Sequence, residues 1–211
     1  MGLRELKARR TRDTIAAVAL ELFERQGYEA TTMEQIAEAA EVAPTTLYRY
    51  YPTKDSTLVD QLMPGAGLWG EQLAARPPSE DLGVSLGHVL HERLREVDEN
   101  ADRVQRLRRQ IDAVPSARAR VLDLSYQEAA VLEEAIAARA GTDPSELWVQ
   151  TTAQTWLMVF RMAVDMVRST PEPRPAEEYA AEIAAALTSP ATVMPSLPAR
   201  GTRSSCRELP G

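Results

Sequence analysis

One cysteine, two phenylalanines and two lysines are all that 211 residues hold of those types. The single cysteine, Cys206, excludes an intrachain disulfide and any multi-cysteine zinc site. The opening, MGLRELKARR, lacks an apolar core segment, so no secretory signal is expected and the cytoplasm is the expected location. The uncharged stretch from Leu147 to Phe160 is 14 residues long and includes Gln150, Thr151, Thr152, Gln154 and Thr155. That is too short and too polar to span a bilayer, so no membrane partner is expected. Strand-like alternation and internal repeats are absent, as are a nucleophile elbow, a glycine-rich phosphate loop and an HExxH pattern. No catalytic residue, metal or cofactor is therefore expected, and the fold class is all-α.

What is present is alanine, leucine and arginine. Hydrophobic residues make up 44% of the chain, enough at this length for one or two domains with ample core. The net charge of −7 speaks against a generally basic nucleic-acid binder. Its distribution speaks the other way. Residues 1–60 carry 8 basic and 10 acidic side chains, a balance of −2, yet residues 1–12 hold Arg4, Lys7, Arg9, Arg10 and Arg12 against Glu5 alone. Screening over about 10 Å makes such local placement matter more than the total. A basic arm of this kind is either a solvated terminus or a source of phosphate contacts.

Ile15, Val18, Ala19, Leu22 and Phe23 form the apolar stripe of a first helix, and Gly27 is placed to stop it. Thr32 and Gln35 have the capping-box spacing, and Met33, Ile36, Ala37 and Ala40 follow as the stripe of a second helix. Pro44 suits the first position of a third. In that helix Leu47 and Tyr51 share one face, while Thr45, Thr46 and Arg49 point away. A short helix held by its neighbours, with a donor-rich outer face, suits a DNA major groove.

The segment FERQGYEATTMEQIAEAAEVAPTTLYRYYPTKDSTLVDQL resembles the amino-terminal domain of the TetR (tetracycline-repressor) family of bacterial transcriptional regulators, over roughly residues 11 to 62. The resemblance implies base-edge contacts from Pro44, Thr45, Thr46 and Tyr48, and phosphate contacts from Thr32, Arg49, Tyr50 and Lys54. Two departures stand out. Glu41 occupies the turn position where the family usually has glycine, and would carry strain if left-handed. Ala43 replaces the usual hydroxyl residue before the recognition helix and removes a good cap.

The division expected is a helix-turn-helix domain over 1–53, a helical ligand-binding and dimerisation domain over 54–188, and a Pro- and Ser-rich tail over 189–211 expected to be disordered. A connecting helix from Asp55 to about Leu62 should be kinked or ended by Pro64, and Gly65, Gly67 and Gly70 extend the break. Further helices are expected from Ser79 to Val97, Ala101 to Ala113, Pro115 to Ala140, Pro144 to Ser169 and Ala176 to Leu187. The helix from Pro144 is apolar all round, and the one from Ala176 carries Ala180, Ile183, Ala184 and Leu187 on one stripe of partly small residues. The family arrangement makes these two helices a two-fold four-helix interface, here assigned to Val159, Ala163, Val167, Ala180, Ile183, Ala184 and Leu187. The effector pocket is expected between Ser79 and Arg168, walled by Trp148, Trp156 and Phe160, with His88, His91, Arg108 and Arg109 as polar anchors.

The function implied is a homodimeric repressor released from a palindromic DNA operator by a small apolar effector. The segment RRQIDAVPSARARVLDLSYQEAAVLEEAIAARAGTDP is loosely similar to regulators of the mycofactocin type, some of which sense acyl-coenzyme A. An acyl thioester is thus one option among apolar metabolites and drugs. Two other classes compete: a helical enzyme holding a metal on His88 and His91, three apart on one helix, and an architectural DNA-binding protein without a ligand.

Overall fold

The computed structural model describes residues 3–62, 67–170 and 172–189. Among them lie ten helices: α1 (Leu3–Gln26), α2 (Met33–Ala39), α3 (Pro44–Tyr50), α4 (Lys54–Val59), α5 (Leu68–Ala74), α6 (Leu82–Glu99), α7 (Ala101–Ala113), α8 (Pro115–Ala140), α9 (Leu147–Ser169) and α10 (Ala176–Leu187). The fold is all-α, as the sequence predicts. The break at Pro64 and Gly65, and the tail segment with Cys206, lie outside the described residues.

α1 buries Ile15, Ala19, Leu22 and Phe23 completely or nearly so, and Gly27 ends it at a φ of 89°. The basic segment at its start is no separate arm, because α1 already runs from Leu3. Thr32 and Gln35 form the capping box of α2, each satisfying the other's backbone N–H. α2 then closes in a Schellman turn. Glu41 N–H donates to Glu38 O at 3.0 Å, and Val42 N–H to Ala37 O at 2.9 Å. The geometry puts Glu41 at φ 55°, the only left-handed non-glycine among the described residues. Ala43 precedes Pro44 with no side-chain cap on α3. α4 begins with a second capping box, Thr53 with Ser56, and sends Leu58 and Val59 into the same core as α1.

Three helix starts differ from expectation, each for a local reason. α6 begins at Leu82 because Asp81, rather than Ser79, accepts from Gly83 N–H at 2.8 Å and Val84 N–H at 3.2 Å. α9 begins at Leu147 rather than Pro144. Asp143 spends its carboxylate on the amide and hydroxyl of Ser145, at 2.8 and 2.7 Å, and holds a tight turn instead of capping a helix. α5 was not expected, since Gly67 and Gly70 read as breakers. Gly70 has another use: a Cβ there would lie 2.9 Å from Val131 Cγ1 and 3.1 Å from Val131 O, so its absence lets α5 pack directly on α8.

Three apolar clusters result. The first joins α1 to α4 with Leu107 and Ile111 of α7 and Val114 and Ala117 of the α7–α8 junction. The second packs α6, α9 and α10, and the third packs α5, α6, α8 and α9. The second cluster corrects the expected interface. Val159, Ala163, Val167 and Ala180 are buried within the chain's own core, leaving no surface for another subunit. Ile183 and Leu187 are half-buried against the same cluster, and Ala184 is exposed. The outward stripe of α9 is instead Leu147, Trp148, Met162 and Met166, each between 44 and 77% exposed.

Glu41→Gly is expected to raise the melting temperature. It removes about 1–2 kcal/mol of left-handed strain against about 0.5–1 kcal/mol of added chain entropy. With 1 kcal/mol equal to roughly 2–4 °C in a chain of this size, the shift should be a few degrees at most. Thermal melts followed by circular dichroism measure it; a fall would mean that the Glu41 side chain contributes more than its backbone costs.

Candidate nucleic-acid interface and internal cavity

Two seven-residue helices, α2 and α3, are too short to persist unaided, so their pose is set by what they pack on. Leu47 and Tyr51 are 0 and 2% exposed and anchor α3 to α1. The Tyr51 hydroxyl donates to Arg12 O at 3.3 Å, and burial pushes its pKa up to about 12. With that side fixed, Pro44, Thr45, Tyr48 and Arg49 are exposed on α3, and Thr46 and Tyr50 are partly so. The Tyr48 hydroxyl reaches Glu34 on α2 at 3.4 Å. Thr32 is exposed, but its hydroxyl oxygen is already used in the cap.

At the far end of α3 the surface is concave. Lys7, Ala8 and Thr11 of α1 and Arg49 and Tyr50 of α3 line a hollow of about 410 Å³. The Arg49 guanidinium stacks over the Tyr50 ring at 5.2 Å. Cations, a hydroxyl and a phenol around one hollow are the groups that meet phosphate oxygens. Arginine and lysine from two helices thus gather beside the outward face of α3, although the chain as a whole is acidic.

Lys54 differs from the other expected phosphate contacts. Its ammonium donates to Tyr28 O at 2.7 Å and Thr31 O at 3.0 Å, and lies 4.1 Å from the centre of the Tyr28 ring. Two of its three donors therefore tie α4 to the loop before α2. The Tyr28 hydroxyl donates to Asp55 at 2.6 Å, and burial followed by that carboxylate raises its pKa well above an ordinary phenol's.

A second hollow, open to solvent on one side, lies among the helices of the body, with a volume of about 590 Å³. Leu68, Trp69, Leu157, Phe160 and Val164 give it an apolar wall, and the Trp69 and Phe160 rings meet edge to face at 5.4 Å. Arg108 also lines it. The other expected pocket residues stand elsewhere. Trp148 is 44% exposed, and Trp156 packs partly buried against the third cluster. Arg109, one residue round α7 from Arg108, is exposed on the side of Glu24. His88 and His91 are on the outside of α6, turned to different carboxylates: Glu80 at 3.7 Å and Glu177 at 3.0 Å. No group of three or more His, Cys, Asp or Glu among the described residues could hold a metal ion. Trp69, Arg93, Arg103 and Glu128 line the hollow and escaped the sequence analysis. Trp69 sits in the glycine-flanked segment taken for a break, and the others are single charges on amphipathic helices with no motif around them.

Polar links join this hollow to α1 and α4. Arg103 donates to Gln61 Oε1 at 3.0 Å, and Gln61 Nε2 donates to Ala16 O of α1 at 3.1 Å. Arg106 forks onto Glu24 at 2.8 and 2.5 Å, holding that carboxyl below its ordinary pKa chiefly by the hydrogen bond. Arg120 pairs with Asp60 at 2.7 Å.

A family model described as bacterial regulatory proteins of the tetR family matches residues 15–59. The HTH-type transcriptional regulator TcmR of Streptomyces glaucescens is 36% identical over 150 residues, 67% of this chain and 66% of that protein. The chain belongs to the TetR family. The TetR match runs through α4, which packs with α1 to α3 rather than apart from them. The HTH-type transcriptional repressor KstR of Rhodococcus jostii is 48% identical over 56 residues, 26% of each chain. The matches thus span just under two thirds of the TcmR length and about a quarter of KstR. In fold, the TetR chain is similar to NalD of Pseudomonas aeruginosa, with a TM-score of 0.57 at 20% identity over 83% of this chain and 93% of that one. No described helix is long and apolar enough to cross a membrane.

Thr45→Ala is expected to change base preference, at about 1–3 kcal/mol for a direct contact. Arg49→Ala should weaken binding to all sequences alike and flatten the salt dependence by about one unit of slope. Fluorescence anisotropy over a salt series with two operator variants separates them, and a uniform loss for Thr45→Ala would remove it from the base-reading set. Lys54→Met should also lower the melting temperature, since it strips donors from two carbonyls at about 1–3 kcal/mol for the pair.

Proposed function

We propose that this TetR-family chain is a homodimeric transcriptional repressor that holds a palindromic operator with α3 and releases it when a small molecule fills the hollow of the helical body. The observation that carries this reading is the shared wall. Arg9 of α1, Gln61 beyond α4 and Leu107 of α7 all line the hollow, and Leu107 is also part of the α1–α4 core. An occupant that moves α7 must act on the helices that position α3. Release then requires the occupant to favour the conformation that does not fit the operator, and the operator must weaken the occupant by the same factor.

On the DNA side, Pro44, Thr45, Thr46 and Tyr48 face the bases, and Arg49, Tyr50, Thr32 and the remaining donor of Lys54 meet phosphates. The repressor sign is supported by the name of KstR, a transcriptional repressor similar over the DNA-reading segment. A non-enzymatic role agrees with relatives named as regulators. Selection of binding sites from a random duplex library tests the DNA reading directly. It should return a two-fold motif, and a set without symmetry or preference would favour the architectural alternative.

Dimerisation is assigned to the outward stripe of α9 together with the exposed small residues of α10, Ala181, Ala184 and Ala185. Leu147, Trp148, Met162 and Met166 are large apolar side chains left exposed along one side of this helix. Two copies meeting there would form four helices about a two-fold axis, placing two copies of α3 for successive major grooves. Ala184→Glu is expected to put a charge into that contact and weaken the dimer by several kcal/mol. Sedimentation equilibrium reads the effect; a folded variant as tightly dimeric as the parent excludes position 184.

A further inference from the structure

The hollow is not evenly apolar. Besides Trp69, Leu157 and Phe160, arginines from four helices line it: Arg93 of α6 and Arg108 of α7, half-buried, and Arg9 of α1, Arg103 of α7 and Arg161 of α9, exposed. Three carboxylates share the lining, Glu96, Glu128 and Asp165. The carboxylates are engaged. Glu96 holds Arg93, and Asp165 stands 3.7 Å from Arg168. Glu128, 6% exposed, accepts from Gly67 N–H at 2.7 Å and Trp69 N–H at 2.8 Å, and so caps α5.

The arginines are not all engaged. Arg103 gives one donor to Gln61. The Nε atoms of Arg93 and Arg108 are shut off from solvent and meet no acceptor. Arg108, half-buried, makes no hydrogen bond or close ion pair with any described residue, although the charges of Asp165 and Asp112 reach it through space; Arg161, exposed, makes none either. Burial pushes the Arg108 pKa below the ordinary guanidinium value. A partly buried guanidinium without an acceptor is costly, and a chain that merely needed a filled core would place a leucine or methionine there. Five guanidinium groups against three engaged carboxylates leave the hollow with a surplus of positive charge and of unused planar donors.

We propose that the occupant of this hollow is an amphipathic organic anion. Its carboxylate, sulfonate or phosphate sits on Arg108, with Arg93 and Arg161 adding field, and its apolar body lies against Trp69, Leu157 and Phe160. This rests on the reading of the hollow as a ligand site and adds the chemical class. A volume of about 590 Å³ suits one molecule of drug size. The head group takes up the missing acceptor role, so the anion gains an interaction that a neutral molecule of the same shape does not.

The test uses decanoate and 1-decanol, equal in chain length and different in charge, titrated into the full chain at neutral pH without DNA. The change in intrinsic tryptophan fluorescence supplies the signal, Trp69 being the one of the three tryptophans that borders the hollow, and calorimetry supplies the affinity. Decanoate should bind at least tenfold more tightly than decanol. Arg108→Met should remove that preference while melting, without ligand, at the parent temperature or above. Arg108→Gln provides the same reading if the methionine variant does not fold. Decanol binding as well as decanoate, no binding of decanoate, or full decanoate affinity in both variants overturns the proposal. Operator affinity is measured separately: Arg108-dependent decanoate binding that leaves the operator bound overturns release by the occupant and leaves the anion site standing.

Discussion

Leu107 and Ile111 of α7, at 0 and 1% exposure, stand in the core that α1 to α4 build, and the DNA-reading part of the chain depends on them. α2 and α3 have seven residues each and α4 has six, lengths at which helices do not persist in water. Their order comes from burial, and part of the buried surface is supplied from outside the helix-turn-helix. Truncating a fully buried leucine or isoleucine costs about 2–5 kcal/mol, a large share of the roughly 5–15 kcal/mol that holds a domain folded. The same Leu107 borders the hollow of the helical body. Stability of the reader and occupancy of the hollow thus meet at one side chain.

The charged links at this junction do a different job from the core. Arg106 with Glu24 and Arg120 with Asp60 are partly exposed pairs, a class that adds little to stability. Their value is directional: each fixes how α7 or α8 lies against α1 or α4. Arg103, Gln61 and Ala16 form the most direct of these links, running from the wall of the hollow to the backbone of α1. A ligand that draws Arg103 inward competes with Gln61 for it. Lys54 belongs to the same scheme, since the carbonyls it binds fix the loop that leads into α2.

Much of the reader was legible because its signals are local. A stripe at i, i+3, i+4, a capping box at Thr32 and Gln35 and a proline at a helix start act through neighbours in sequence. The strain at Glu41 was legible too, since the turn requires a left-handed residue whatever side chain occupies it. What could not be read was which apolar face meets which neighbour. Val159, Ala163 and Val167 looked like surplus apolar surface, yet α6 and α10 cover them, and the true surplus is the stripe through Trp148, Met162 and Met166. Gly70 read as a breaker because its reason, the approach of Val131, lies 61 positions away in the chain. The arginines of the hollow were invisible for the same cause: convergence of side chains from α1, α6, α7 and α9 has no signature in any one segment. Only Arg108 and Phe160 of the expected pocket residues reach it.

Through α7 the reader and the helical body share one core and should open as one cooperative unit. Native-state hydrogen exchange on Leu107→Ala tests it most directly. If the core is shared, the amides of α1 to α3 and those of α8 lose protection together and by a similar free energy. Protection lost from α7 and α8 alone, with the buried amides of α1 and α3 as slow as in the parent, would contradict the account and leave the hollow without a route to the DNA.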